Sequence, residues 1–458
     1  MNNKYPEWVL RYKTKGVQIR QFGNNYYAYH PRCVYDKINR KPKSLPPEYL
    51  GVVTKNGIVK KDDISKISGD YEYGNIALLY GIAENTVIPV LKKYFPYMYS
   101  KIIIYVILRN INPLPMKSVK YLYEKTYLTR LNESMNGRSL SSMVSSLSYD
   151  KCNSAMKEMT LKGEYLLMDS TAIFSRSANI SMLEPGHNTH NMHIPQVNIM
   201  LLFSSSRKLP TFIRVIPGSV RDVTAMSKTI EMADIEKCII VADKGFYPTN
   251  NIKMLKKSHL SYIIPVRRNS KMILKDDEFL NIFLYNGKPV KYWKYKNNIY
   301  TYEDPILKME EEKDYLIRVK ENRKSKKSFH NDSVNFGKIY LYSDIVDDPE
   351  KIYRLYKERE YVEYAFNVLK NDLEADRSYL RDDNMLFSYM FLNLISLYLH
   401  FQILNAIDGK YSVKDILLIL SRIKIYTTGN SEILSEIPKK AREIVEKLNI
   451  DLNILRKK

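Results

Sequence analysis

The sequence is poor in cysteine. Cys33, Cys152 and Cys238 are the only three in 458 residues, far apart and without metal-ligand spacing. That excludes a disulfide framework and a cysteine-built zinc site, and it fits a reducing compartment. Acidic residues are also in deficit: 50 Asp and Glu stand against 72 Lys and Arg, a net charge of +22. Such a balance points to a polyanionic partner, most often nucleic acid, and says nothing about fold. An A/T-rich coding bias would equally explain the abundant Lys and the 38 Tyr, so charge alone leaves both explanations open. The opening MNNKYPEWVLRYKTKG has no apolar h-region, so no secretory signal is expected. Long hydrophobic runs are scarce as well. One, Met385 to Leu404, is long enough to raise the question of a membrane. Ser388, Asn393, Ser396, His400 and Gln402 interrupt it, which favours a buried core helix and no membrane partner. There are no internal repeats and no long low-complexity segment. What is present, 45% hydrophobic and 27% charged residues, suffices for a sizeable core. The length suggests two to four domains of about 100–200 residues.

Residues 1–60 read as a basic, β-rich arm. VQIRQF and NNYYAYH alternate loosely, and Phe22, Gly23, Asn24 and Asn25 between them suit a hairpin turn. Residues 61–160 read as helical, because NIALLYGIAENTVIPVLKKYFP and MKSVKYLYEKTYLTRL carry apolar residues three and four apart. A DNA-binding helix-turn-helix and a plain bundle both satisfy that pattern. From 161 the pattern changes. EYLLMDSTAIF, VNIMLLF and TFIRVIP are strand-like, Asp222 opens a helix as its cap, and CIIVADKGF holds a short strand. Residues 248–257 suit a helix and SYIIPV a strand. Three strands, helix, strand, helix, strand over 161–266 is the element order of an RNase H-like α/β core, whose last main element is a further helix. Residues 267–345 come first. They are polar, Tyr-rich and turn-punctuated, with KYWKYKNNIYTYED, KDYLIRVK and a lysine-rich loop, ENRKSKKSFHNDS, and read as a β-rich insertion. The awaited helix follows at about 348–372, within a second core part over 346–408. Residues 409–458 read as a C-terminal helical region, with VKDILLILSRIKI and PKKAREIVEKLNI as amphipathic helices with a basic face. The expected fold class is thus α/β: an RNase H-like core interrupted by a β-rich insertion, preceded by a β-rich and helical region and followed by helices.

On this helix Tyr356, Arg359, Glu363 and Lys370 fall within an arc of about 60° at about 100° per residue. Leu355, Val362, Phe366 and Leu369 form an adjacent apolar stripe. A polar strip at the edge of a packed face suits a partly buried site. It also suits a solvated salt-bridging face, since Arg359 and Glu363 are an i,i+4 pair. The strands tip the balance. Asp169 lies inside one apolar strand and Asp243 at the end of another, and a charge there is costly unless paired or bound to metal. With Glu363 beside them, these carboxylates form a hard-oxygen cluster suited to Mg²⁺ or Mn²⁺ rather than Zn²⁺. Two such ions about 3.5–4 Å apart can activate an attacking oxygen and stabilise the leaving oxygen of a phosphodiester.

At these residues the sequence resembles a known family. The spacing Y-x2-R-x3-E-x6-K, met by Tyr356, Arg359, Glu363 and Lys370, is similar to the signature of DDE transposases of the insertion-sequence-four group. LLMDSTAIF resembles the segment carrying that family's first Asp, VADKGFYPTNNI the one carrying its second, and PQVNIMLLF and IPGSVRD the stretches between. The resemblance covers about 160–400. It implies that Asp169, Asp243 and Glu363 are the catalytic residues, ligating two Mg²⁺ ions for which Mn²⁺ substitutes. It implies that Tyr356, Arg359 and Lys370 contact DNA phosphates near the cut, Arg as a bidentate fork and Lys as a point charge. The implied partners are double-stranded DNA, as transposon terminal inverted repeats and as target, with a dimer in the DNA complex and a cytoplasmic, nucleoid-associated location. An activated water would cut at the element's end, and the freed 3′-hydroxyl would attack target DNA in line.

Other candidates weigh less. Glu358 falls far from Glu363 on the helical wheel, and Glu360 lies about 60° away on the side opposite the apolar stripe. Trp293, one of two tryptophans, sits in the insertion, where stacking on a flipped base and ordinary packing compete. Lys244 follows Asp243 and could touch phosphate or face solvent. His187, His190 and His193 are spaced by three but lack helical character and matching cysteines, which argues against zinc. Two other function classes remain: a DNA-binding relative without catalysis, and another RNase H-like nuclease acting on junctions or RNA–DNA hybrids.

Overall fold

The computed structural model describes residues 5–23, 25–36, 41–55, 57–59, 69–160, 165–174, 177, 179–186, 195–220, 222–235, 239–242, 249–257, 260–273, 278–375, 380–428 and 431–456. Near the N-terminus a short helix, α1 (Glu7–Leu10), packs on a four-stranded antiparallel sheet. Its strands are β1 (Gln18–Phe22), β2 (Asn25–Asp36), β3 (Lys41–Thr54) and β4 (Gly57–Val59). Phe22 pairs with Asn25, so β1 and β2 form a two-residue hairpin, and Gly23 adopts the positive φ (59°) that such a turn favours. Val9, Ile19, Ala28 and Val53 form a small core of their own. The hydrogen bonds and ring contacts described for residues 5–59 all stay within that segment.

A strand β5 (Gly69–Glu72) leads into helices α2 (Gly74–Asn85), α3 (Val87–Tyr94), α4 (Tyr99–Ile111), α5 (Val119–Tyr123), α6 (Gly137–Ser146) and α7 (Tyr149–Met159). They belong to one large core whose members run from Tyr73 to Leu455, beside a small separate cluster of Val266, Ile299 and Tyr340. Cys152 lies inside it, and burial pushes its thiol up to about 12, which makes it a packing residue rather than a nucleophile.

The chain then builds a nine-stranded sheet. It opens with β6 (Tyr165–Phe174), β7 (Gln196–Ser204) and β8 (Leu209–Pro217), followed by α8 (Asp222–Met232), β9 (Ile239–Val241), α9 (Thr249–Lys257) and β10 (Ser261–Pro265). β6, β7 and β8 are antiparallel neighbours, while β9 and β10 run parallel to β6, giving the spatial order β8-β7-β6-β9-β10. β7 is buried at eight of its nine residues, all but Asn198, which is why VNIMLLF is apolar nearly throughout rather than alternating. β14 (Lys338–Ser343) pairs with β10, and β13 (Ile299–Glu303), β12 (Lys288–Tyr292) and β11 (Asn281–Tyr285) carry the sheet on to its edge.

Residues 267–345 are less β-rich than expected. KDYLIRVK is the end of a 16-residue helix, α10 (Pro305–Lys320), and the lysine-rich stretch folds partly into a short one, α11 (Phe329–Ser333). The start signal was in the sequence: Asp304 accepts from the Ile306 and Leu307 amides, and Pro305 takes the first position, where no amide is needed.

The expected helix over 348–372 is not continuous either. α12 (Pro349–Lys357) and α13 (Glu360–Asn367) are separated at residues 358–359, where backbone bonds tighten to i→i+3, and a π turn over Val368–Asp372 follows. The predicted stripe of Leu355, Val362, Phe366 and Leu369 is buried throughout.

The long helix α14 (Asp383–Ala406) is apolar on all sides because it is enclosed on all sides, between β8 and the helices α4, α6 and α7. The C-terminal region is mixed: α15 (Val413–Leu420), β15 (Lys424–Thr428), β16 (Ser431–Leu434) and α16 (Lys439–Lys447). The end of VKDILLILSRIKI is therefore strand, paired with β5 and β16. The β-branched and aromatic run of Ile425, Tyr426, Thr427 and Thr428 favours the extended form.

Candidate active site

Asp169 and Thr171 lie two apart on β6 and so project from the same face of the sheet. α13 packs across β6 and β7. The break before α13 brings Arg359 to this face. Its Nη1 stands 3.7 Å from Asp169 Oδ2, and its Nη2 donates to Glu363 Oε1 at 2.8 Å. One guanidinium thus lies between two carboxylates contributed by a strand and a helix. Asp169 Oδ1 accepts from the Ser170 amide at 2.8 Å. The Asp169 and Arg359 side chains are each 18% exposed and that of Glu363 53%, so the pair lies at a solvent-reachable edge. Asp169 is tolerated in an apolar strand because a cation answers it.

Lys370, in the π turn, donates from Nζ to Thr171 Oγ1 at 2.6 Å. Arg359, Glu363 and Lys370 therefore address one face of β6, although the 60° arc of an ideal helix is not how they arrive there. The tightened turn at 358–359 and the wide turn at 368–372 both break the 100° step. Tyr356 is half-buried against the main core. The rival carboxylates point elsewhere. Glu358 accepts from Ser205 Oγ, and Glu360 pairs with Lys357 at 3.6 Å.

Asp243 and Lys244 lie outside the described residues, as do His187, His190 and His193. The strand leading to Asp243 is described: β9 pairs with β6 so that Val241 is opposite Leu167, and Asp169 and Asp243 each follow two residues later in their own segments. Among the described residues no three His, Cys, Asp or Glu converge on one point. The two described acids fit a divalent cation in charge and in donor chemistry, being hard oxygens already gathered around one positive group. Trp293 is buried to 8% exposure, with Lys338 over its ring at 5.5 Å and Phe279 at its edge, and it lies apart from these contacts. In this state its ring is a packed one rather than a free stacking surface.

Two supporting features escaped the sequence reading. Thr171 could have been found by strand alternation from Asp169. Arg109 could have been found as a charge inside the apolar helix α4. It is buried at 3% exposure and donates to Asn393 Oδ1 at 2.8 Å and to the Leu373 carbonyl, and it lies over the rings of Tyr105 and Tyr389. Leu373 directly follows the π turn, so Arg109 anchors the backbone that presents Lys370.

Residues 161–399, just over half of the chain, match the family described as Transposase DDE domain. Among solved structures the chain is similar to a piggyBac transposase synaptic complex with hairpin DNA. The identity is 11% and the TM-score 0.38, over 76% of this chain and 79% of that one. No curated protein matches it.

Proposed function

The chain belongs to the transposase DDE-domain family, and on that premise we propose that it cuts DNA at transposon ends and joins the cut strand to target DNA. The catalytic acids are Asp169, Asp243 and Glu363. The observation that carries the proposal is the guanidinium of Arg359 between Asp169 and Glu363. It brings together two acids 194 positions apart in the chain. The core is of the RNase H-like type, supported by the order β8-β7-β6-β9-β10 with its first three strands antiparallel.

The acids would hold Mg²⁺ or Mn²⁺, which when bound activates the attacking oxygen and stabilises the leaving oxygen of a phosphodiester. Everything else falls to the chain itself. β6 sets Asp169 at a fixed depth, and its Ser170 amide bond orients the carboxylate. Arg359 balances the acids while they face one another and offers a planar fork to a phosphate. Lys370, steadied by Thr171, supplies a second positive point on the same face, and Tyr356 is the third residue of the signature assigned to phosphate contact. Net positive charge holds the duplex backbone. Terminal inverted repeats and target DNA are the partners, and two ends held together take two copies of the chain.

The test is to incubate the protein with Mg²⁺ and DNA carrying the inverted repeats that flank its gene. Cuts at the repeat boundary, lost in Asp169→Asn, support the proposal. Binding without cuts points to a non-catalytic DNA-binding protein. Cutting of RNA–DNA hybrids regardless of end sequence points to another nuclease of the same core type.

A further inference from the structure

The N-terminal sheet has two unlike faces. One covers Val9, Ile19, Ala28 and Val53, with Tyr5, Trp8, Tyr12 and Tyr26 packed around them. The other carries a cluster of rings. In the β1–β2 register Arg20 stands opposite Tyr27 and Gln18 opposite Tyr29, and in the β2–β3 register Tyr29 stands opposite Tyr49. These residues therefore share the face away from the small core. Their rings touch across three strands: Phe22 to Tyr27 at 5.7 Å, Tyr27 to Tyr49 at 6.3 Å and Tyr29 to Tyr49 at 5.5 Å between centroids. The Arg20 guanidinium lies 5.0 Å from the centre of the Tyr29 ring. Phe22 is 59% exposed and the three tyrosines are partly so.

This cluster sits in the most basic part of the chain. Residues 1–60 hold twelve Lys and Arg against three Asp and Glu, so a small fraction of the length carries nine of the 22 net charges. Aromatic rings on an open sheet face, within a positive field, match a polyanion that also offers flat apolar faces. A duplex keeps its bases stacked inside and shows a sheet face only grooves and phosphates. An unpaired strand exposes a π-face at every base, and aromatic platforms bind it on that account. Because the chain is a member of a transposase family, the relevant strand is DNA.

We propose that this open face is a binding platform for single-stranded DNA, with Tyr27, Tyr29 and Tyr49 stacking on bases and Arg20 contacting the backbone. The site is separate from the carboxylates and does not depend on their catalytic role. It gives the protein a grip on unpaired DNA in addition to its hold on duplex.

The test is fluorescence anisotropy with the full chain, in EDTA, using a labelled oligothymidine of about 12 nucleotides and a duplex of equal length. Tyr27→Ala/Tyr29→Ala/Tyr49→Ala should weaken single-strand binding by roughly tenfold or more, as lost stacking implies, and leave duplex binding unchanged. The corresponding triple Phe variant should bind the single strand within about twofold of wild type, because Phe keeps the stacking face. Equal losses on single strand and duplex, unchanged single-strand binding in the Ala variant, or tighter binding of an oligouridine RNA would each overturn the proposal. Photo-crosslinking of iodouracil-containing DNA to the wild-type protein avoids any folding defect. Adducts are expected on the peptides holding Tyr27, Tyr29 and Tyr49, and adducts confined to other segments would contradict it. EDTA suppresses cleavage in all of these arms, so they report on the platform alone.

Discussion

Two arginines, Arg359 and Arg109, hold neighbouring parts of the same segment, and they are held in different ways. Arg359 lies at an edge between the carboxylates of Asp169 and Glu363. Arg109 is sealed in the core and is met by neutral oxygens and two aromatic rings. A cation paired with acids within reach of solvent can be exchanged for another cation, or turned toward a phosphate. A cation held by carbonyl, amide and ring away from solvent has no such alternative and fixes geometry. The first arrangement suits chemistry with anionic substrates, and the second suits support of the element that carries Lys370.

Substitutions should separate the two arrangements. The largest effect is expected at Asp169. Asp169→Asn should lower DNA cleavage by about a thousandfold or more, the several kcal/mol that ion ligation supplies, while the melting temperature measured by circular dichroism hardly moves. At Arg109 the balance reverses. Arg109→Met strands the Asn393 oxygen and the Leu373 carbonyl in the core, so urea unfolding should show a loss of about 3–4 kcal/mol.

His400 sharpens the contrast with a buried group that titrates. Burial lowers its pKa to about 4 from the ordinary 6.5, with Asp372 opposing the drop and Lys414 adding to it. Its Nε2 has no hydrogen-bond partner among the described residues. The unfolded chain takes up this proton near 6.5 and the folded chain only near 4. Stability should therefore be full above pH 6.5 and decline by roughly 3 kcal/mol as the pH falls to 4. His400→Leu should flatten that part of the unfolding profile against pH.

The smallest stability effect belongs to the edge. Arg359→Ala should cost about 1–2 kcal/mol, because Asp169 loses that cation while its carboxylate still reaches solvent, yet it should weaken binding of transposon-end DNA and make that binding less sensitive to salt. If Arg359→Ala unfolded the protein and Arg109→Met left it stable, the division of labour drawn here would be reversed.

How much the sequence disclosed depended on which forces acted locally. The strand and helix order over 165–265 was legible because apolar runs, a cap and turn residues lie next to one another in the chain. The pairing of Arg359 with Glu363 was legible from their four-residue spacing. The break at 358–359 and the π turn were not. They answer to how α12 and α13 must lie to bury Ile352, Tyr353, Val362 and Phe366 on one twisted sheet, which no local periodicity records. α10 was misread because Tyr315, Leu316, Ile317 and Val319 imitate a strand, although Asp304 and Pro305 announced a helix. β15 was hidden because one of its two partners, β5, lies about 350 residues away. Arg109 was visible only as an anomaly, since its partners Leu373 and Asn393 lie 264 and 284 residues away.

The convergence of acids on a shared cation can be observed directly, by anomalous diffraction from crystals soaked in Mn²⁺. The expected result is an anomalous peak in contact with the Asp169 and Glu363 carboxylates, with the Arg359 guanidinium displaced from between them and the peak absent in Asp169→Asn. Arg359 still in place at saturating Mn²⁺, with no peak beside either acid, would contradict it.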